Sequence, residues 1–291
     1  MINRTNRKYS FFQGWYFKNQ NDTESISLIP AFHIDEKGNR SASLQVIMSK
    51  ESHQIFYSMR EFNISSGRFA IRIGNNIFTE QGILINLKDE KLTISGRLFF
   101  TRLTPLKYDI MGPFRYIPLL QCRHSIHSML HVINGILLVN GKKMNFHQGL
   151  GYIEGDRGSG FPRNYLWTQC SWRSQGDHSL MISVADVRMG GLSFPGCIGV
   201  IYYGGKEYRL ATYLGVNIVK YKKGELQVRQ GKYDFHLKNL ENDEKCLLAP
   251  VNGKMTRTVY ESVNAKVRYR FRIGEQIIFD FVGTGCFERG L

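Results

Sequence analysis

The feature that most constrains the fold is the alternation of apolar and charged residues in Lys266–Ile273. Valine, tyrosine, phenylalanine and isoleucine occupy every second position, and one lysine and three arginines stand between them. Successive side chains of a β-strand point to opposite faces, so this register fits a strand with one buried and one hydrated face. The segments Leu92–Ser95 and Leu226–Arg229 alternate in the same way.

The turns between such runs support the same interpretation. Asn140-Gly141 stands between two apolar runs and is a dipeptide that tight β-hairpins favour. A helical period of 3.6 persists nowhere beyond about 11 residues, although a short helix near Phe56–Phe62 is compatible with the sequence. Because all-β chains close or stack their sheets to remove exposed edges, we predict an all-β fold with very little helix.

Length and internal similarity predict two domains. A chain of 291 residues suits two domains or one large β unit. Residues 15–32 and 167–187 each hold an aromatic run followed by an apolar run, and the alternating runs 92–96 and 226–231 form a second pair. The predicted β domains are residues 1–150 and 151–291.

The composition argues against several classes of protein. Hydrophobic residues make up 42% of the chain, which is ample material for a core and not typical of a disordered chain. No run approaches the ~18 apolar residues that a membrane helix needs, and the first residues lack the apolar centre of a signal peptide. We therefore expect a cytoplasmic protein whose five widely spaced cysteines are thiols.

The net charge of +15 is spread over both halves of the chain. A diffuse positive field attracts anions of any kind, so peripheral contact with an anionic membrane is compatible with it. The sequence contains no nucleic-acid-binding module, no dinucleotide fingerprint and no Gly-x-Ser-x-Gly motif. We accordingly predict no nucleic-acid partner.

An aromatic segment, Phe11–Lys18, lies near the N-terminus. On a strand, Trp15 would share one face with Phe17, and Tyr16 would share the other face with Lys18. These rings either fill the core or form the wall of a hydrophobic pocket, where their π faces could stabilise a cation.

A second segment, Tyr152–Gln169, carries two neighbouring carboxylates. Glu154 and Asp156 are two residues apart and share a face if the strand continues through them. Like charges this close raise one pKa, and a carboxylic acid that stays protonated near pH 7 is a general acid. The alternative is a turn in which Arg157 and Arg163 neutralise the two acids.

Three histidines, His124, His127 and His131, precede this segment. Helical spacing would align all three as metal ligands, but the apolar residues around them favour a strand. On a strand, His127 and His131 share a face and His124 lies on the other, so we predict no metal site. His127 or His131 could still transfer a proton.

The aromatic and acidic segments resemble the tocopherol cyclase-like family. The family's opening motif matches Phe12–Lys18, and its C-terminal part resembles Leu248–Pro250 followed by the alternating strand. Two positions differ from the family pattern, because Gln13 replaces a glutamate and Arg157 replaces a tryptophan. The positions that match the family's central motif are Glu154, Asp156, Gly158, Phe161, Pro162, Trp167, Gln169 and Cys170.

The resemblance implies two lipocalin-like antiparallel β-barrel domains in tandem and a non-redox cyclisation without a cofactor. In that reaction an acid protonates an alkene of a prenylated quinol, and the phenolic oxygen closes a ring on the resulting cation. Glu154 and Asp156 are the predicted acids, and His127 and His131 are weaker candidates for proton relay. The predicted substrate-binding residues are Gln13, Trp15, Tyr16, Lys18, Arg157, Phe161, Trp167 and Gln169.

Two other functions fit the same sequence. A lipocalin-like barrel can bind a hydrophobic ligand without changing it. A scaffold whose interior is filled would bind no ligand. If the protein is a cyclase-like enzyme or a ligand-binding protein, its partner is a hydrophobic small molecule. We predict neither a metal nor a cofactor.

Overall fold

The computed structural model describes residues 10–65, 67–118, 120–189, 192–241, 245–251 and 253–290. Across these ranges the regular structure is antiparallel β-sheet, which confirms the predicted fold class. Three short 3₁₀ helices interrupt the strands, at Met59–Glu61, Gly112–Tyr116 and Thr212–Leu214. The first of them lies inside the segment where the sequence allowed a short helix. Within the described residues, no helix has the length and hydropathy that a membrane span requires.

The chain forms two compact units whose boundaries differ from the predicted ones. The first unit comprises residues 1–106, 122–161 and 249–257, and the second comprises residues 107–121, 162–248 and 258–291. The expected boundary after residue 150 falls inside a strand, Gly149–Gly158, which pairs with two strands of the first unit. Because those hydrogen bonds tie the whole strand to the first unit, that unit extends to residue 161.

The first unit contains a 12-stranded sheet. Its strands are β1 (Phe11–Gln20), β2 (Ser25–Ile34), β3 (Arg40–Met48), β4 (Ser52–Tyr57), β5 (Phe62–Ile64), β6 (Ala70–Ile73), β7 (Asn76–Thr79), β8 (Gly82–Lys88), β9 (Thr93–Phe100), β10 (Cys122–Val139), β11 (Lys142–Asn145) and β12 (Gly149–Gly158). They are hydrogen-bonded in the order β4-β3-β2-β1-β12-β10-β9-β8-β7-β6-β5, and β11 pairs with β10 across the predicted Asn140-Gly141 turn.

The second unit contains a 10-stranded sheet. Its strands are β13 (Tyr165–Arg173), β14 (Asp177–Met189), β15 (Leu192–Tyr203), β16 (Lys206–Ala211), β17 (Asn217–Lys222), β18 (Glu225–Gln230), β19 (Tyr233–Asn239), β20 (Lys245–Val251), β21 (Lys254–Ile273) and β22 (Gln276–Gly290). The order is β16-β15-β14-β13-β22-β21-β19-β18-β17, with β20 paired to β21.

The two sheets share one strand order, since each places its last long strand beside its first. The runs 15–32 and 167–187 lie in β1–β2 and β13–β14, which occupy equivalent positions in the two orders. That internal similarity is therefore reflected in the fold. The second pair of runs is not equivalent. Residues 92–96 lie mainly in β9, whereas residues 226–231 lie mainly in β18, whose positional counterpart is β8.

Each sheet curves around its own apolar core. In the first unit Leu28, Val46, Ile71, Ile85 and Leu137 come from five different strands and belong to one buried cluster. A flat sheet could not bring strands from both ends of its order into one cluster, so the sheet wraps around these side chains in a lipocalin-like manner.

The core of the second unit follows from the alternation that the sequence shows. Val267, Tyr269 and Phe271 are fully buried, whereas Lys266 and Arg268 between them are mostly exposed. The predicted strand with one wet face is therefore present.

Strand β10 carries two irregularities where it pairs with β12. The register shifts between Ile126 and Ser128 and again between Ser128 and His131. Over this stretch β10 advances from 126 to 131 while β12 runs back from 154 to 151, so β10 contains two extra residues.

Two glycines allow β9 and β10 to approach each other. Gly96 and Gly135 have φ values of 145° and 144°, which side chains of L-residues rarely tolerate. A Cβ atom at Gly96 would lie 2.2 Å from the carbonyl oxygen of Ile136, and one at Gly135 would lie 2.1 Å from that of Arg97.

We expect Gly135→Ala to lower the free energy of unfolding by more than about 2 kcal/mol, because the backbone must move to admit the methyl group. Gly67→Ala is the matched control, since no atom lies within 4 Å of the Cβ position there. Urea unfolding of both variants tests this, and equal midpoints would contradict the assigned close approach.

Candidate functional site

The two faces of β1 and β12 have different roles. One face carries Trp15, Phe17 and Ile153 into the core of the first unit. The opposite face, which we term the polar face, is also buried at most positions but is rich in hydrogen-bonding groups. Strand alternation and pairing register place Phe12, Tyr16, Lys18, Ser27, His33, Ser43, His124, Tyr152, Glu154 and Asp156 on the polar face.

A hydrogen-bonded cluster lies on this face, where β10 and β12 pair. The Tyr152 hydroxyl donates to Glu154 Oε2 at 2.5 Å. His124 lies between the two acids, with Nδ1 3.0 Å from Asp156 Oδ1 and Nε2 3.2 Å from Glu154 Oε2. The first contact is a hydrogen bond, whereas the second has ion-pair distance without hydrogen-bond geometry. We call these four residues the His124 cluster.

The electrostatics favour a positively charged imidazole. Burial alone would lower the pKa of His124, but the charges of Glu154 and Asp156 outweigh it and raise that pKa well above its usual 6.5. Burial raises the pKa of Glu154, and the neighbouring imidazolium opposes part of that rise. The cluster therefore holds a proton near neutral pH in surroundings that contain little water.

Access to the cluster is greatest at Asp156. Its side chain is 21% exposed, compared with 10% for His124 and 6% for Glu154. The thiol of Cys122 also donates to Asp156 Oδ1 at 3.4 Å. A proton can thus pass along hydrogen-bonded groups from the buried side to the carboxylate that a ligand can reach.

The same side chains are the described group best suited to hold a metal ion, because one ligand atom from each of His124, Glu154 and Asp156 lies within 4.8 Å of the others. An ion would bind one nitrogen of the imidazole. Here both ring nitrogens face carboxylates, one on each side, and this arrangement fits a shared proton better than a shared cation.

His127 and His131 lie on the core side. The ring of His127 stacks on Phe69 with centroids 4.8 Å apart, and the ring of His131 lies 4.4 Å from that of Phe100. The expected opposition of His124 to these two histidines is therefore observed. Burial lowers the pKa of His127 to about 4 and that of His131 to about 3, so both rings are neutral at pH 7.

The aromatic segment is divided between the two faces as expected. Trp15 packs in the core against Phe69. Gln13 and Arg157 are direct cross-strand partners on that same side. The resemblance grouped these three with the acids, but the alternation of side chains separates them from Glu154 and Asp156 by the thickness of the sheet.

Other predicted binding residues lie on the polar face. Tyr16 is the cross-strand partner of Glu154, and Lys18 is the partner of Tyr152. The hydroxyl of Ser27 donates to the Tyr16 hydroxyl oxygen at 2.8 Å. Both Tyr16 and Lys18 are buried, at 8% and 2% exposure.

The remaining candidates lie at and beyond the end of β12. Phe161 packs edge-on against Phe12 in the first unit, with centroids 5.3 Å apart. Trp167 and Gln169 belong to β13 of the second unit, where both are buried. The Gln169 amide donates to the hydroxyls of Ser171 and Ser179 at 2.8 and 3.2 Å.

Sequence reasoning missed the central residue of the cluster. The sequence offers His124 only as one of three metal ligands, and the strand interpretation gives it no role. Its membership follows from the pairing of His124 with Asp156 across β10 and β12. The sequence gives no direct signal of this contact, because the two strands are distant along the chain.

Solved structures with the same fold are found although sequence similarity is low. A putative AttH from Nitrosomonas europaea has a TM-score of 0.57 at 11% identity, covering 97% of this chain and 92% of that one. Kievitone hydratase from Nectria haematococca has a TM-score of 0.54 at 13% identity, with coverages of 97% and 89%. CghA in complex with Sch210972 has a TM-score of 0.61 at 8% identity, with coverages of 97% and 88%. Neither a protein-family model nor a curated protein sequence matches this chain.

The histidines with lowered pKa predict acid destabilisation. His131 has a folded pKa of about 3, so below pH 6.5 the unfolded chain binds a proton there that the folded chain does not. This lowers the free energy of unfolding by up to ~1.4 kcal/mol per pH unit between about pH 6 and 4. The contribution is absent in His131→Phe, so its stability should fall less steeply over that range. Exposed His147→Phe is the control, and urea unfolding at several pH values provides the test.

The charge of His124 gives a second prediction. Glu154→Gln removes a carboxylate that raises the pKa of His124, so that pKa should fall. An NMR titration of the imidazole measures it. Asp280→Asn, which breaks an exposed pair with Arg268 in the second unit, should leave it unchanged, and equal shifts in both variants would contradict the assignment.

Proposed function

We propose that this protein is a non-redox acid–base enzyme that cyclises or isomerises a hydrophobic small molecule. The observation that carries the proposal is the buried His124 imidazole between Glu154 and Asp156, with the more accessible carboxylate at one end. Such a cluster can give up a proton and take one back without any change in oxidation state. The tocopherol cyclase-like resemblance narrows the substrate class to a prenylated quinol.

The first step transfers the proton from the cluster to the substrate. The proton on His124 Nδ1 moves along the 3.0 Å hydrogen bond to Asp156, and Asp156 delivers it to one carbon of a trisubstituted alkene. The π bond breaks, a C–H bond forms, and a tertiary cation remains. Glu154, which accepts a hydrogen bond from Tyr152, orients the imidazole throughout.

The second step closes the ring and restores the cluster. The phenolic oxygen of the substrate bonds to the cationic carbon, and its proton returns through Asp156 to His124. The product is therefore an isomer of the substrate, and no co-reactant is consumed. Holding both reacting groups together on one surface supplies much of the rate enhancement.

The aromatic rings on the polar face are placed to shield the cation. Tyr16 lies opposite Glu154, and Phe12 lies four residues before Tyr16 on the same face. The faces of such rings attract positive charge. Trp15 was expected to contribute to this wall, but its ring lies on the core side.

The structural comparisons support a proposal of this class. One protein with this fold is named a hydratase, and another was solved with Sch210972. Similarity at this level of identity shows the fold, so the reaction assigned to the present chain depends on its own residues.

A second candidate function is ligand binding without chemistry. The observation that favours it is the low exposure of Glu154 and His124, since a buried acid–histidine pair can also serve only to satisfy polar groups. In that case a prenylated quinol would be bound and later recovered unchanged.

Incubation with a prenylated hydroquinone separates the two functions. We expect a product of unchanged mass that has one free phenolic hydroxyl fewer than the substrate and a different chromatographic retention. Its rate of formation should drop at least about 100-fold in Asp156→Asn. Asp177→Asn, which removes an acid paired with Arg173 in the second unit, is the control and should retain activity.

Two outcomes would overturn the enzymatic proposal. One is quantitative recovery of intact quinol from the folded wild-type protein. The other is unchanged turnover in the double variant Glu154→Gln, Asp156→Asn. Because the raised pKa of His124 keeps the cluster protonated, activity should also fall as the pH rises through that pKa and not at pH 6.5.

A further inference from the structure

The polar face contains very small residues beside the His124 cluster. Pairing registers align five residues across neighbouring strands, in the order His124, Asp156, Gly14, Ala31 and Ser43. Gly14 and Ala31 thus separate Asp156 from Ser43. We call this pair the ring floor.

Larger side chains stand on both sides of the ring floor. Phe12 is on the same face two residues before Gly14, and Tyr16 is two residues after it. The heavy atoms nearest to a Cβ at Gly14 come from the adjacent strand: Ala31 at 3.3 Å, Ile29 at 3.8 Å and Pro30 at 3.9 Å. The two positions of the ring floor thus carry no side chain larger than a methyl group, and an aromatic ring stands on each side of Gly14.

A buried histidine lies beside the floor, two residues after Ala31 on the same strand. His33 is the cross-strand partner of Phe12 and is 3% exposed. Its Nε2 lies 3.0 Å from the hydroxyl of Ser43. Its Nδ1 is buried and has no hydrogen-bond partner among the described residues. A buried polar atom left in this way costs free energy, so a ligand group that bonds it would gain affinity.

The chemistry of His33 selects the kind of group. Its burial keeps the ring neutral at pH 7, since burial lowers the pKa to about 4. A neutral imidazole bonds a hydroxyl well and gives no charge attraction to an anion. Neighbouring strands lie about 4.8 Å apart, and β1 is the one strand between those of Asp156 and His33. A ring system with its reacting group at one end and a hydroxyl at the other can span these two strand spacings.

We infer that the ring floor and His33 form the binding subsite for a flat aromatic ring that carries a hydroxyl group. The ring lies on Gly14 and Ala31 between Phe12 and Tyr16, and its hydroxyl bonds His33 Nδ1. This inference rests on the proposed function for the location of the reacting end at Asp156, but binding alone can test it.

Two probes of similar size distinguish the contribution of the hydroxyl group to binding from that of the ring. We expect 1-naphthol to bind the full-length protein about five- to tenfold more tightly than 1-methylnaphthalene, measured by probe fluorescence. His33→Phe should remove this preference while both probes still bind. Gly14→Val should weaken the binding of both probes at least about tenfold, because the valine side chain would occupy the position of the ring.

His131→Phe is the matched control for His33→Phe. The Nδ1 atom of His131 lies 3.0 Å from the Ser128 hydroxyl, and its Nε2 atom is buried without a hydrogen-bond partner among the described residues. Unlike His33, His131 lies on the core side. The hydroxyl preference should persist in this variant. Thermal melts of all variants establish that each is folded before binding is compared.

The results that would overturn the inference differ from those that bear on the reaction. A hydroxyl preference that survives in His33→Phe, undiminished binding in folded Gly14→Val, or no binding of either probe to the wild-type protein would each contradict the subsite. Loss of turnover in Asp156→Asn with unchanged probe binding would leave both proposals standing. Unchanged turnover in the double acid variant would contradict only the reaction.

Discussion

The pairing of β12 with β1 on one side and β10 on the other determines the arrangement of the first unit. This strand brings residues 149–158 next to the first strand of the unit, and it lies near the middle of the hydrogen-bonding order. Because alternate residues point to opposite faces, its pairing assigns each neighbouring side chain to the core or to the polar face. The location of Trp15 in the core and of Tyr16 beside Glu154 both follow from it.

The buried histidines of the first unit differ in charge. On the core side, His127 and His131 have aromatic neighbours and no carboxylate to offset the loss of water, so they remain neutral. On the polar face, His124 has an acid at each ring nitrogen and remains charged. His33 lies on the polar face without a carboxylate partner and is neutral as well. The charge of a buried histidine in this sheet therefore depends on the neighbours of its ring, not on the face that it occupies.

Much of the fold could be predicted from the sequence, because alternation such as that in Lys266–Ile273 depends on local geometry alone. The Asn140-Gly141 hairpin and the division of Phe11–Lys18 between two faces were correct for the same reason. The acidic pair was also placed correctly on one face. The contact of His124 with both acids was missed, because it depends on the pairing of strands that are distant in sequence. The domain boundary was misplaced since the pairing of β12 with β1 spans more than 130 residues.

The two extra residues in β10 between Ile126 and His131 limit how chains of this kind can change in length. Each one reverses which side later residues face, and the pair of them cancels, so Leu137 still points into the core. Loss of a single amino acid in this stretch would exchange the two faces of the remainder of β10 and expose its apolar side chains to water. Evolution can therefore shorten or lengthen this segment by even steps far more readily than by odd ones.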